Sequence, residues 1–396
     1  MSPRIDIARG RPATQSSVCD WSTFPEPERE AAIVNGATAD PDRFCHTGWE
    51  PWPWWQVEFD GAYDLHHVRV RNRRGVEQRL KRFSLLGSLD GEIWRELHRK
   101  SDGAEFHVYD AAIVDARPAR WLRLRLDGVE FLHISQCEVF GERSDAKRAG
   151  ELLAEDAQLA KRRRAPPAGK SGHVVKIAGF NIFVDDAYGR AARESLNGGD
   201  YEARERNAVL RQLRPTDRVL ELGTAVGVMA MTAASVVGED RVATFDADPA
   251  MVAAARDNFA RNGFGRIRAE LGVLANRSRF QPGVSARFHV ARDFWGSSLT
   301  MGAYGDEVVA TIETPTRCLE DELRRHDANV IICDIEGGEV ALFDGADLAV
   351  IRLIVMETHY GRMGEAATDA MVRSLILQGF SLDLAESGQQ VVILRR

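Results

Sequence analysis

Two spacings of apolar residues divide this chain. Between residues 55 and 142 apolar and polar positions alternate in short runs, 55–59, 68–71, 83–86, 121–126 and 137–140, each with the length and period of a half-buried strand. Asp60-Gly61, Asp90-Gly91 and Asp127-Gly128 stand between runs as turn signals, so about the first 140 residues read as an all-β sandwich. Beyond residue 218 continuous apolar runs alternate with segments of helical period. Strands are predicted at 218–222, 241–245, 267–272, 329–334 and 351–357, and helices at 227–237, 249–262, 338–344 and 365–377. That alternation predicts an α/β domain with a mostly parallel sheet. The tail, 380–384 and 390–394 around Ser387-Gly388, reads as an antiparallel hairpin; another is expected at 174–184, ahead of a helix at 201–213.

Residues 144–164 are polar and helix-favouring, and end in Lys161-Arg-Arg-Arg164 before Pro166-Pro167. This composition shift sets a sandwich at 1–143, a linker at 144–172 and an α/β domain at 173–396. The formal charge of −7 gives no overall electrostatic reason to bind nucleic acid, so the basic run is read as a solvated helix end. Residues 1–10 lack the apolar core of a signal peptide, and no run of eighteen apolar residues occurs, so a soluble, cytoplasmic protein without a membrane span is expected. Cys19, Cys45, Cys137, Cys318 and Cys333 are scattered and odd in number, which suggests core thiols rather than a disulfide framework or a zinc site.

Candidate chemistry gathers where the apolar runs end. The stretch Val219-Leu-Glu-Leu-Gly-Thr-Ala-Val-Gly227 runs from a buried strand into a turn and a helix, placing Glu221 and Gly223 at the carboxyl edge of the sheet and Gly227 at the helix start. It lacks the third glycine of a dinucleotide turn, and an acidic strand end followed by G-x-x-x-G suits S-adenosylmethionine better than NAD. Asp246 ends the next strand, where a carboxylate accepts hydrogen bonds from both ribose hydroxyls, while Asp248 before Pro249 reads as a helix cap. Asp334, Glu336 and Glu339 follow a third strand, and Glu357 and His359 a fourth.

Together these stretches resemble the FkbM family of S-adenosylmethionine-dependent methyltransferases, from about residue 174 to the end. The landmarks are Gly199-Asp-Tyr-Glu202, Val219-Leu-Glu-Leu-Gly223, Phe245-Asp-Ala-Asp-Pro249, Asn258, Asn262-Gly263, Thr314-Pro-Thr-Arg-Cys-Leu319, Cys333-Asp-Ile-Glu-Gly337 and Glu357-Thr-His359. The resemblance implies a Rossmann-like methyltransferase fold and a cofactor held by Tyr201, Glu202, Glu221, Gly223, Gly227, Asp246 and Ala247. Its members often O-methylate sugar or polyketide hydroxyls. Cys333 stands where the family usually has lysine, so no role of that lysine carries over.

The first third resembles the discoidin, or coagulation-factor C-type, jelly roll, close to the F-type fucose lectins. It shares Ala13-Thr-Gln-Ser-Ser17, Asn35-Gly36, His46-Thr47, Pro53-Trp-Trp-Gln-Val57, Asn72-Arg73, Ser88-Leu-Asp-Gly91, Trp94 and Glu138-Val-Phe-Gly141. The resemblance implies glycan binding through His46, Arg73 and Arg79, and a structural calcium near Asn35, Asp40 and Glu138. Arg73-Arg-Gly75 and Leu80 replace the lectins' Arg-x-Asp and second arginine, with Arg79 one residue short. Trp49, Trp52, Trp54 and Trp55 serve either to stack on a sugar or to fill the core.

A sugar hydroxyl is a poor nucleophile at neutral pH and needs a base or a metal. His359 is the first candidate base; Asp334, Glu336 and Glu357 either orient it or hold Mg²⁺, with Asp334 and Glu357 the favoured metal ligands. The segment 288–304, with Phe294 and Trp295, reads as a substrate loop without regular structure. The expectation is an O-methyltransferase acting on a glycan or glycosylated small molecule. The alternative is a carbohydrate- or partner-binding protein that retains a cofactor fold without turnover.

Overall fold

The computed structural model describes residues 5–36, 43–114, 117–301, 307–388 and 390–396. The chain divides into two compact units, Met1–Arg162 and Arg163–Arg396.

A nineteen-residue strand, Trp54–Asn72, organises the first unit. Its first part pairs antiparallel with Ala13–Gln15 and Ala119–Leu126; its second lies between His133–Arg143 and Val108–Ala112. Phe83–Ser88 and Arg95–Lys100 extend the sheet beyond Ala119–Leu126. The Asp60-Gly61 signal, expected to end a strand, lies inside this one, at a register shift between Glu58 and Tyr63. Asp60 accepts from Tyr63 Oη (2.7 Å) and Arg11 Nη2 (2.7 Å), so the bend is tied down and the strand passes from one set of partners to the next. Alternate positions bury Trp55, Val57, Leu122 and Leu124 completely, and with Phe83 and Leu85 they form the core of an all-β sandwich.

Of the four tryptophans, Trp55 is core and donates Nε1–H to Ala31 O (2.9 Å). Trp54 is half-buried beneath Arg123, 4.3 Å from the ring centre, and Trp52 is half-buried with φ 49°. Trp49 is 53% exposed. The helix Ala146–Arg164 follows the sandwich, and the basic run forms its last turn, where cations oppose the helix dipole favourably.

In the second unit seven strands form one sheet: β1 Val219–Leu222, β2 Val242–Asp246, β3 Arg268–Leu271, β4 Val330–Cys333, β5 Leu353–Glu357, β6 Ser381–Leu382 and β7 Val391–Arg395. Their spatial order is 3-2-1-4-5-7-6; the first five are parallel and β7 runs antiparallel to β5 and β6. This is a doubly wound α/β sheet closed by an antiparallel hairpin, and its parallel strands all end on one edge. Helices Val228–Val237, Pro249–Asn262, Leu319–His326 and Glu365–Leu377 connect them. Pro249–Asn262 shows how the sequence sets its own bounds: Asp248 caps Ala250 N (2.8 Å), Pro249 takes the first turn, and Gly263 (φ 83°) ends it.

Three elements depart from expectation. The helix expected at 201–213 forms as Ala203–Gln212, starting where Glu202 turns left-handed (φ 51°), but it is preceded by an unexpected helix, Arg190–Gly198, that ends at Gly199 (φ 80°). The expected loop 288–304 begins inside a strand, Ser285–Ala291, and continues through a short 3-10 turn, Phe294–Gly296; 302–304 lie outside the described residues. That strand pairs with Val308–Cys318 in a small separate sheet. Val308–Cys318 is largely exposed, so neither strand carries a strong apolar signal. Among the described residues no helix is long and apolar enough to cross a membrane.

Candidate active site and sandwich cluster

The ends of β1, β2 and β4 surround a cavity of about 290 Å³ whose walls include Gly223, Asp246, Phe288, Phe294, Trp295 and Asp334. Gly223 is required by the chain itself: φ is 92°, and a Cβ there would lie 1.7 Å from Asp334 O. Gly227 (φ 85°) likewise faces the Phe259 ring, which a Cβ would approach to 2.5 Å, and does not line the cavity. Ala225 (φ 45°), Glu202 and Glu336 (φ 56°) also hold left-handed conformations at this edge. Three such non-glycine residues at one site are what a functional constraint on the backbone produces.

Asp246 is fixed by two backbone amides, Ala225 N to Oδ2 (2.9 Å) and Asp248 N to Oδ1 (2.8 Å). Burial pushes its carboxyl up to about 6 despite those bonds, with Asp248 adding to the rise. Each oxygen keeps acceptor capacity. Beside it, Ala247 O accepts from Thr314 Oγ1 (2.7 Å), which ties the small sheet to the cavity. Tyr201 is buried in the wall with its ring edge toward Phe294.

A smaller cavity adjoins Gly223 and Asp334 and is lined by Glu202, Glu205, Glu221 and Glu357. Burial raises the Glu202 carboxyl to about 7 and holds Glu221 well above the usual carboxylate range. Glu221 is 1% exposed; its oxygens make no well-formed hydrogen bond, and weak donation from the Thr244 hydroxyl and the Ala230 amide only partly offsets the burial. Asp334 is also raised, first by burial and then by Glu336 and Glu357, and its Oδ1 is sealed without a hydrogen bond.

His359 stands among these carboxylates. Nδ1 meets Glu339 Oε1 at 2.8 Å; Nε2 lies 3.2 Å from Glu336 Oε2 and 3.7 Å from Asp334 Oδ1. Burial alone would lower its pKa, but hydrogen bonds to Glu336 and Glu339, with the Asp334 charge, push it up to about 11. In this arrangement the ring is an imidazolium with both nitrogens engaged. Asp334, Glu357 and His359 offer donor atoms within 4.8 Å of one another. Sequence reasoning left two partners unassigned: Glu339, completely buried on the first turn of a short helix, and Arg362, which pairs with Glu336 (3.1 Å). An acidic residue just past a strand end was the available signal for the first; nothing local marked the second.

In the sandwich, His46, Arg73 and Arg79 come together although they lie on a short strand, just past the end of the long strand and on a 3-10 turn. Arg73 stacks on Phe44 (3.8 Å), Arg79 lies over Phe131 (5.1 Å), and Phe131 packs edge-on against His46. His46 Nδ1 is 2.8 Å from both Thr47 O and Cys19 Sγ; burial lowers its pKa, and Arg73 and Arg79 lower it further. His133, absent from the sequence reading, packs against His46 with ring centres 4.1 Å apart and neither nitrogen bonded. Of the expected calcium ligands, Asn35 uses its amide to donate to Ala8 O and Arg11 O, Glu138 Oε2 is buried without a partner, and Asp40 lies outside the described residues.

Comparison with known families agrees with this division. Residues 12–136 match the F5/8 type C domain and residues 221–382 match the Methyltransferase FkbM domain. No curated protein matches the chain. Among solved structures, the chain is similar to the lectin domain of lectinolysin complexed with Lewis B antigen, at 25% identity over 36% of this chain and 98% of that one, TM-score 0.30. It is also similar to a Streptococcus pneumoniae fucose binding module, at 21% identity over 36% and 99% of the two chains, TM-score 0.31. The chain therefore joins an F5/8 type C domain to an FkbM methyltransferase domain.

Proposed function

We propose that this protein is an S-adenosylmethionine-dependent O-methyltransferase whose acceptor is a hydroxyl of a sugar or glycoconjugate, and that its sandwich binds glycan. The observation that carries the cofactor reading is Asp246: two backbone amides orient its carboxylate at the wall of an aromatic-lined cavity, with acceptor capacity left for two ribose hydroxyls. The residues present fit the cofactor. Phe288 and its apolar neighbours suit a purine, and the carboxylates at the strand ends suit the cationic sulfonium and ammonium groups. When bound, the cofactor supplies an electrophilic methyl group. The chain's part is to hold acceptor oxygen and methyl carbon in line, exclude water with Phe294 and Trp295, and receive the hydroxyl proton. Asp334, Glu336, Glu357 and His359 form the group to which that proton falls; His359 acts as a base only after releasing the proton it holds against Glu336.

The glycan reading rests on the convergence of His46, Arg73 and Arg79 beside aromatic rings, where rigid donors meet hydroxyl and ring oxygens. Calorimetry with S-adenosylmethionine, followed by incubation with the cofactor on a glycan array, tests both halves. Cofactor binding with methyl transfer to arrayed glycans is the expected result. Absence of cofactor binding refutes the enzyme, and binding without transfer to any glycan favours a non-catalytic carbohydrate-binding protein.

A further inference from the structure

We propose that Asp334, Glu357 and His359 form a divalent-cation site and that Glu339 is the positioning residue that aims the imidazole at it. Asp334 follows β4 and Glu357 ends β5, neighbouring parallel strands, so the sheet register itself brings the two carboxylates to one edge. His359 stands two residues further on, and the three offer ligand atoms within 4.8 Å of one another.

The imidazole is held as a ligating histidine is held. Glu339, completely buried, accepts a hydrogen bond from Nδ1–H at 2.8 Å, and Nε2 faces Glu336 (3.2 Å) and Asp334 (3.7 Å), so a bound cation would take the place of the Nε2 proton. A carboxylate behind a histidine, with the opposite nitrogen turned toward further carboxylates, fixes both tautomer and ring orientation for metal binding. A separate observation points the same way. Glu221, on β1 and 1% exposed, lines the small cavity with Asp334 and Glu357, and neither of its oxygens makes a well-formed hydrogen bond. Asp334 Oδ1 makes no hydrogen bond either, its cationic neighbour being His359 Nε2 at 3.7 Å. Anionic oxygens desolvated without donors are unfavourable unless protonated or given a counter-charge; Arg362 is paired with Glu336, and the single proton on His359 Nε2 is shared between Glu336 and Asp334, where a divalent ion would bring twice the charge.

The donor set selects the ion. Mg²⁺ prefers oxygen ligands in a strict octahedron, whereas two carboxylates and one imidazole suit a first-row divalent ion such as Mn²⁺. A cation here would lower the pKa of an acceptor hydroxyl brought to the same edge; this role, though not the site itself, rests on the methyltransferase reading.

The test uses the full chain stripped of metal and free of cofactor, with MnCl₂ as the probe, read by calorimetry and by electron spin-echo spectroscopy. The expected result is one bound Mn²⁺ per chain with nitrogen modulation from an imidazole. Asp334→Asn should abolish binding, His359→Ala should remove the nitrogen signal, and Glu339→Gln should weaken binding by about tenfold or more while all three ligands remain. Thermal unfolding of each variant shows whether it is folded, and the wild-type measurement stands without them. A wild-type chain that binds no Mn²⁺, or binds it without nitrogen modulation, overturns the site. If S-adenosylmethionine still binds to such a chain, the methyltransferase reading survives. Mn²⁺ bound as expected in a protein that transfers no methyl group supports the site and refutes the activity instead.

Discussion

Asp246→Asn is the substitution that interrogates the cofactor cavity most directly, because the structure sets its expected size. Both carboxylate oxygens accept backbone N–H groups, from Ala225 (2.9 Å) and Asp248 (2.8 Å). Asparagine has one acceptor oxygen, so its amide nitrogen must face one of these donors and also one ribose hydroxyl. Exchanging hydrogen bonds to a charged acceptor, about 1.5–3 kcal/mol each, for one neutral bond and one lost bond weakens cofactor binding by about 2–4 kcal/mol, roughly 30- to 1000-fold. The pH dependence has a definite sign. Ribose hydroxyls donate to the ionised form, and burial has raised this carboxyl to about 6, so affinity should climb as pH rises through about 6 and level off above it. In Asp246→Asn that step should vanish. Calorimetric titration with S-adenosylmethionine between about pH 5 and 8 measures both effects. Asp248→Ala is the control: it removes the cap on Ala250 N, lowering stability by about 1 kcal/mol, and should change affinity only a few-fold. If Asp246→Asn binds the cofactor as tightly as wild type while Asp248→Ala does not, the ribose ligand has been assigned to the wrong aspartate.

Glu221→Gln should stabilise the protein without metal or cofactor. The folded-state pKa of Glu221 is raised, so wild type loses stability as pH climbs above the unfolded value near 4.5, and the glutamine variant does not. By neutral pH its Tm should be higher by about 2 °C or more, with the difference closing in acid; a lower Tm at pH 7 would contradict the reading. Trp55→Ala, which empties a fully buried site and removes the indole's bond to Ala31 O, should lower stability by about 3–5 kcal/mol in denaturant unfolding, whereas Trp49→Ala, at an exposed position, should change it by about 1 kcal/mol or less. Arg73→Gln should reduce glycan retention on an array at least tenfold with cofactor affinity unchanged; equal retention would place the glycan elsewhere.

What the sequence displays and what it hides follow from the range of the interactions involved. Strand ends are local: a buried apolar run that stops at Asp246, Asp334 or Glu357 announces a polar group at the sheet edge, and the sheet delivers all three there. The glycines of the β1 turn were also visible, but their physical reason was not. Gly223 is crowded by the Asp334 carbonyl from the neighbouring strand and Gly227 by Phe259 from a helix, and both neighbours are remote in sequence. The Asp60-Gly61 turn signal failed because long-range pairing on both sides, anchored at Asp60, holds the chain in one bent strand. Protonation is the most remote property of all. Read alone, His359 is an imidazole like any other; placed between Glu339 and Glu336 it is a cation, and its orientation is set by a buried carboxylate twenty residues away. The same holds in the sandwich, where the antiparallel register of His133 with His46 puts two rings in contact that no spacing along the chain could pair. A residue's place at the edge is thus written in its own strand, whereas its chemistry there is written in the strands and helices packed around it.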